Sequence, residues 1–140
     1  MKQAWILFAV VAGILLGLSF LFGFGTAYAI GYGAITLMAV AISLTFLWLW
    51  YKRTTPLALG MSFSWAGAAS VMGWWWLYAL LDRPAVLLEN DLLLFFLALY
   101  CVGAILHFTV IQASLSLPRI AYAVPVVGSV ALSAALYIYL

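Results

Sequence analysis

Charge is what this sequence has least of. Lysine and arginine number five, aspartate and glutamate three, and together they make up 6% of 140 residues. A soluble domain carries about a quarter charged and about half apolar residues, whereas here 70% are hydrophobic and the mean hydropathy is +1.28. Such a chain cannot cover itself with polar surface, and its solvent is expected to be largely the lipid bilayer. The net charge of +2 is small and dispersed, which excludes a nucleic-acid footprint. A single cysteine, Cys101, has no disulfide partner within the chain and no CxxC motif. A single histidine, His107, rules out HExxH and metal-spaced histidine clusters. Gly-rich phosphate cradles, Ser/His/Asp sets and aspartate-rich prenyl-diphosphate motifs are missing too. No nucleophile–base pair is evident by spacing. The chain is therefore read as non-enzymatic, with no catalytic residue, metal or cofactor assigned.

What the chain does have is long apolar runs separated by short polar ones. The runs cover residues 4–22, 28–51, 57–81, 91–116 and 120–140. Each approaches or exceeds the about 20 residues that a helix needs to cross a hydrocarbon core of about 30 Å. The expected fold is one all-α transmembrane domain over residues 1–140, a bundle of five membrane-spanning helices. Lys2, the first run and Ala27-Tyr28-Ala29 have the outline of a secretory signal. The run is longer than the usual apolar core of about 7–15 residues, so it is expected to stay as the first span. An odd number of spans excludes two equal inverted halves.

Basic residues set the expected orientation. With the N-terminus in the cytoplasm, Lys2, Lys52, Arg53 and Arg119 lie inside and only Arg83 outside. The C-terminus is then exterior, and the setting is a cell membrane crossed several times. All three acids, Asp82, Glu89 and Asp91, share the outer loop between the third and fourth runs. Glu89 and Asp91 offset the positive end of the following helix, which Asn90 or Asp91 caps. Gathering cations at an outer mouth is the alternative task for the three. Trp74, Trp75 and Trp76 precede the loop. Successive helical residues point about 100° apart, so these rings cannot line one pocket, and an interfacial anchor is expected.

Small residues mark the helix-packing positions. Ala9, Gly13 and Gly17 recur at four-residue spacing in the first run, and the third is thin all round, with Gly60, Ser64, Gly67 and Gly73. In lipid such residues let helix backbones approach closely. The third run is therefore placed centrally, and the first-run row is expected to pack within the bundle ahead of forming a dimer face. Gly33, Thr36, Val40 and Ser43 form a protein-facing stripe in the second run. Ala121, Pro125, Ser129 and Ser133 form a row in the fifth, where Pro125 is expected to kink the helix.

The fourth run is the most polar, with Cys101, His107, Thr109, Gln112 and Ser114; Tyr100, Gly103, His107 and Ser114 share a face. An ionisable residue within the membrane is a functional candidate by default. His107, Thr109, Gln112, Tyr100 and Ser114 are the candidate ligand or pore-lining residues. Three functions are open. The first is an oligomer-forming protomer or accessory subunit of a membrane complex, partnered by its own copies or other membrane subunits. The second is a small-solute facilitator with a polar path near His107. The third is a pigment- or haem-binding protein, for which Gly103, one turn before His107, leaves room for a flat macrocycle. Hydroxyls and amides also act as interhelical glue, which is the structural alternative for each of these side chains.

Overall fold

The computed structural model of the protein describes residues 2–139. Among them are five α-helices and no strand: α1 (Lys2–Phe22), α2 (Phe24–Arg53), α3 (Pro56–Leu80), α4 (Leu92–Ser114) and α5 (Ala123–Tyr139). A short 3-10 turn, Ala85–Leu87, lies between α3 and α4. Three segments are long and apolar enough to cross a membrane: α1, α2 and the stretch Ala85–Ser114 that ends in α4. α3 has sufficient length at 25 residues, but its glycines, serines and tryptophans make it less apolar than those three. α5 has 17 residues, about 26 Å at 1.5 Å per residue, and is shorter than a full span. The expected fifth run loses its first three residues to the turn before α5, and its last, Leu140, lies outside the described residues.

The turns follow from local chemistry. The link between the first two runs contracts to Gly23 alone, at φ 87°. Glycine enters that region without steric cost, so the helix resumes at once and Phe24-Gly25-Thr26 becomes the first turn of α2. α2 ends with Lys52 and Arg53 at its negative pole. Thr54, at φ 50°, closes it by donating its N–H to the Trp50 carbonyl at 2.6 Å. Pro56 then opens α3 at a position where no N–H is needed. Pro125 falls in the first turn of α5, where its missing donor breaks no ladder bond, so the expected kink has no cause there.

Helix α3 sits between α2 and α4, while α1 leans on α2 near the Gly23 turn and α5 makes at most marginal contact with the rest. The core is a seam of small residues, with no large side chain fully buried among the described residues. α3 buries Gly60, Ser62, Ser64, Gly67, Ala69 and Trp74. α2 presents Gly33, Thr36, Ala39 and Ser43 to it. Ala39 replaces the expected Val40, which is left 42% exposed. Each glycine at the seam is filled by its neighbour. A Cβ on Gly67 would lie 2.5 Å from the Tyr100 backbone, and one on Gly33 2.5 Å from the Trp76 ring. A Cβ on Gly60 would meet Leu106 at 3.1 Å, and one on Gly73 would meet Thr36 at 3.1 Å. One on Gly103 would collide with the Ser64 backbone. Ser43 and Ser62 close the α2–α3 side reciprocally, each hydroxyl donating to the other's carbonyl, at 2.9 and 3.1 Å. Such buried bonds contribute about 0.6–1.7 kcal/mol each in lipid.

The row Ala9, Gly13, Gly17 is not used within the chain. A Cβ on Gly13 or Gly17 would meet nothing within 4 Å, and α1 buries no residue. The expectation that this row packs inside the bundle is corrected, because α1 touches α2 through Leu15, near Gly31, on a different face. The tryptophans do diverge. Trp74 is buried against Phe96 of α4, Trp76 covers Gly33 of α2, and Trp75 stands 37% exposed. Two of the three are therefore packing residues rather than a uniform surface anchor.

Candidate functional site

His107 is placed by the α3–α4 seam. Gly60 and Gly103 let the two backbones close, and the imidazole is caught between them. Its Nδ1 lies 3.4 Å from the Ser64 hydroxyl, a long pairing in which either group donates according to the tautomer. Its Cδ2 edge abuts Gly60. Nε2 is buried and has no hydrogen-bond partner among the described residues. Buried polar atoms are ordinarily satisfied, because an unpaired one costs about 1–3 kcal/mol. A pocket of about 370 Å³ adjoins the ring, lined by Met61, Ser64, Trp65, Tyr100, Ala104 and His107 among others. Tyr100 and His107 thus share a pocket, as their spacing implied, and Ser64 joins them from α3.

The other polar residues of α4 are turned onto the chain itself. Thr109 donates to the Leu106 carbonyl at 2.7 Å and Ser114 to the Ile111 carbonyl at 2.8 Å, both within their own helix. Gln112 spans the turn to α5. Its amide nitrogen donates to the Arg119 carbonyl at 3.0 Å, and its carbonyl accepts from the Tyr122 N–H at 2.9 Å. These three do not join the His107 pocket. Cys101 is exposed on the outside of α4.

The 82–91 loop is tied down by an aromatic side chain. Trp74 donates its indole N–H to the Leu87 carbonyl at 2.9 Å and packs edge-on against Phe96, with ring centroids 5.9 Å apart. Asp91 occupies the N-cap position of α4 without a side-chain bond of its own, and Asn90 beside it supplies one, its side-chain oxygen accepting from the Leu92 N–H at 3.0 Å. Asp82 and Glu89 are exposed. Among the described residues no three acids, histidines or cysteines gather as metal ligands. Asp82 and Arg83 both take left-handed backbone, φ 58° and 59°, where the Arg83 N–H donates to the Tyr78 carbonyl at 2.8 Å. That conformation costs a side-chain-bearing residue about 1–2 kcal/mol.

The same end of the molecule holds a second cleft, of about 610 Å³, between the start of α2 and the end of α3. Its α2 wall is Phe24, Tyr28 and Tyr32, with the two tyrosine rings 4.5 Å apart. Its α3 wall is Trp75 and Tyr78, packed edge to face at 5.6 Å. Arg83 closes the lip. None of these six residues was singled out from the sequence as a site. The four-residue spacing of Phe24, Tyr28 and Tyr32 was the available signal for one wall. The facing wall needed the register of α2 on α3.

No protein-family model, curated protein or solved structure matches this chain.

Replacing His107 by leucine tests whether the imidazole is structural. The variant His107→Leu is expected to unfold within about 1 kcal/mol of the unaltered protein in detergent, since one long hydrogen bond and one unpaired nitrogen are lost together. A loss of about 3 kcal/mol or more would make the ring a fastener of α3 to α4.

Proposed function

We propose that this protein is a non-enzymatic, multi-pass membrane protein that works as a subunit of an oligomer or larger membrane complex. The carrying observation is the unequal use of its helices. α2, α3 and α4 form a closed seam, while α1 and α5 bury no residue and leave Gly13, Gly17 and Gly128 open. Close-approach residues with no neighbour inside the chain suit a helix from outside it, in the first instance a second copy. Large apolar side chains cover the outward surface, among them Trp5 and Phe20. Lipid is the solvent that tolerates such a surface. In this proposal all five helices lie in a cell membrane, with the N-terminus cytoplasmic and the C-terminus and the 82–91 loop outside. The distribution of Lys2, Lys52, Arg53 and Arg119 against Arg83 supports that orientation.

Transport of a small solute past His107 has one observation in its favour, the pocket beside an unpaired Nε2. Thr109, Gln112 and Ser114 add no support to it, since each donates to its own helix or turn and none lines that pocket. Proteoliposome flux that survives His107→Ala would remove it. A tetrapyrrole metal would reach the enclosed Nε2 only if α3 and α4 moved apart.

The mass of the protein in a mild detergent tests the subunit proposal. A multiple of 15.3 kDa, or a co-purifying membrane subunit, is expected. Gly13→Leu with Gly17→Leu should reduce the assembly to a single chain that still folds, because neither position meets anything within the chain among the described residues. A lone monomer with no partner would contradict the proposal. A reporter fused after Leu140 is expected to read exterior, and a cytoplasmic signal would reverse the orientation.

A further inference from the structure

We infer that the aromatic cleft between α2 and α3 is a binding site for an anionic amphiphile, with the phosphate group of an acidic lipid on Arg83 and the adjoining apolar portion between the rings. The inference shares the membrane setting of the proposed function but not its oligomer. The cleft of about 610 Å³ is the right scale for part of a lipid, within the range of about 300–1,000 Å³ usual for ligand sites. Its walls are Phe24, Tyr28, Tyr32, Trp75 and Tyr78, apolar faces with phenol and indole donors at their edges.

The sign of the ligand follows from the one charge at the lip. Among the described residues Arg83 lines the cleft and no carboxylate does. An aromatic cleft of this kind attracts quaternary ammonium groups when nothing cationic competes; a guanidinium at the mouth reverses that preference. Arginine presents a planar fork that matches phosphate with paired hydrogen bonds and stays charged at every physiological pH. The first turn of α2 adds to the same sign. Its leading amides, including that of Gly25 in the cleft wall, have no earlier helical carbonyl to bond.

Depth agrees with a lipid source. α2 has 30 residues, about 45 Å of helix against a hydrocarbon core of about 30 Å. A helix that long carries its ends into the headgroup region unless steeply tilted. The cleft lies at such an end, beside the Gly23 turn and the outer loop. Arg83 holds its place there in left-handed backbone, bonded to Tyr78, itself a cleft residue.

The test is native mass spectrometry of the full chain, stripped of lipid and titrated in three arms: phosphatidylglycerol, phosphatidylcholine of the same chains, and inorganic phosphate alone. One phosphatidylglycerol per chain is expected, bound at least about tenfold more tightly than phosphatidylcholine, with no saturable binding of phosphate. Arg83→Gln should weaken phosphatidylglycerol by about tenfold or more. Gly25→Leu should block it by filling the cleft with Arg83 intact; a Cβ there meets nothing within 4 Å, so the fold accepts it. Unfolding temperatures of both variants are measured alongside. Equal binding of the two lipids would overturn the inference. So would phosphatidylglycerol binding that survives both variants, or phosphate alone binding as tightly as the lipid. A monomeric assembly state, which would sink the subunit proposal, leaves each of these outcomes readable.

Discussion

Gly103 of α4 lies directly on the backbone of Ser64, and the rest of the structure depends on that approach. Without it α3 and α4 separate by the thickness of a side chain. Gly67 then loses the Tyr100 backbone, Gly60 loses Leu106, and His107 loses the Ser64 hydroxyl. In the lipid setting proposed above, the seam matters more than an apolar core would in water. Lipid is as apolar as leucine, so burying large side chains yields little. Close van der Waals contact and buried hydrogen bonds must hold the helices instead. On the α2 side the same role falls to the reciprocal Ser43–Ser62 pair and to Trp76 seated on Gly33.

That economy explains why α3 reads so differently from its neighbours. A helix packed on two sides needs small residues on both, and glycine and serine supply them at the cost of hydropathy. It also explains the fate of the polar groups. The hydroxyls of Thr36, Ser43 and Thr45 on α2 and of Thr109 and Ser114 on α4 each donate to a carbonyl, in their own helix or across the seam. His107 is the exception, since the approach that positions Nδ1 against Ser64 also encloses Nε2 without a partner. The end that carries the 82–91 loop is organised by a different interaction, the Trp74 bond to Leu87, which holds that loop against α4 while Arg83 lines the cleft.

The five helices and the central place of α3 were legible in the sequence because apolar runs and small-residue density are one-dimensional signals. The role of Gly60, Gly67 and Gly73 was legible for the same reason. Which small row finds a partner was not: Gly13 and Gly17 carry the same spacing as Gly60 and Ser64 and face nothing within the chain. Spacing tells that a face is thin, and only the tertiary register tells what lies opposite. Gln112 shows the same limit. Its amide reads as glue or as a path, and the two bonds that it makes to the turn before α5 depend on a chain reversal that spacing does not show. The aromatic cleft was hidden because its walls are about 50 residues apart in sequence and meet only when α2 and α3 align antiparallel.

Unfolding of Gly103→Leu in detergent, compared with Gly13→Leu, tests the seam most directly. Gly103→Leu should lose about 3 kcal/mol or fail to fold, because overpacking a close backbone contact costs about 1–3 kcal/mol or more. With both variants measured as dissociated single chains, Gly13→Leu should unfold as the unaltered single chain does. Equal stability of the two variants would contradict the account, since the fold would then not depend on the approach of α4 to α3.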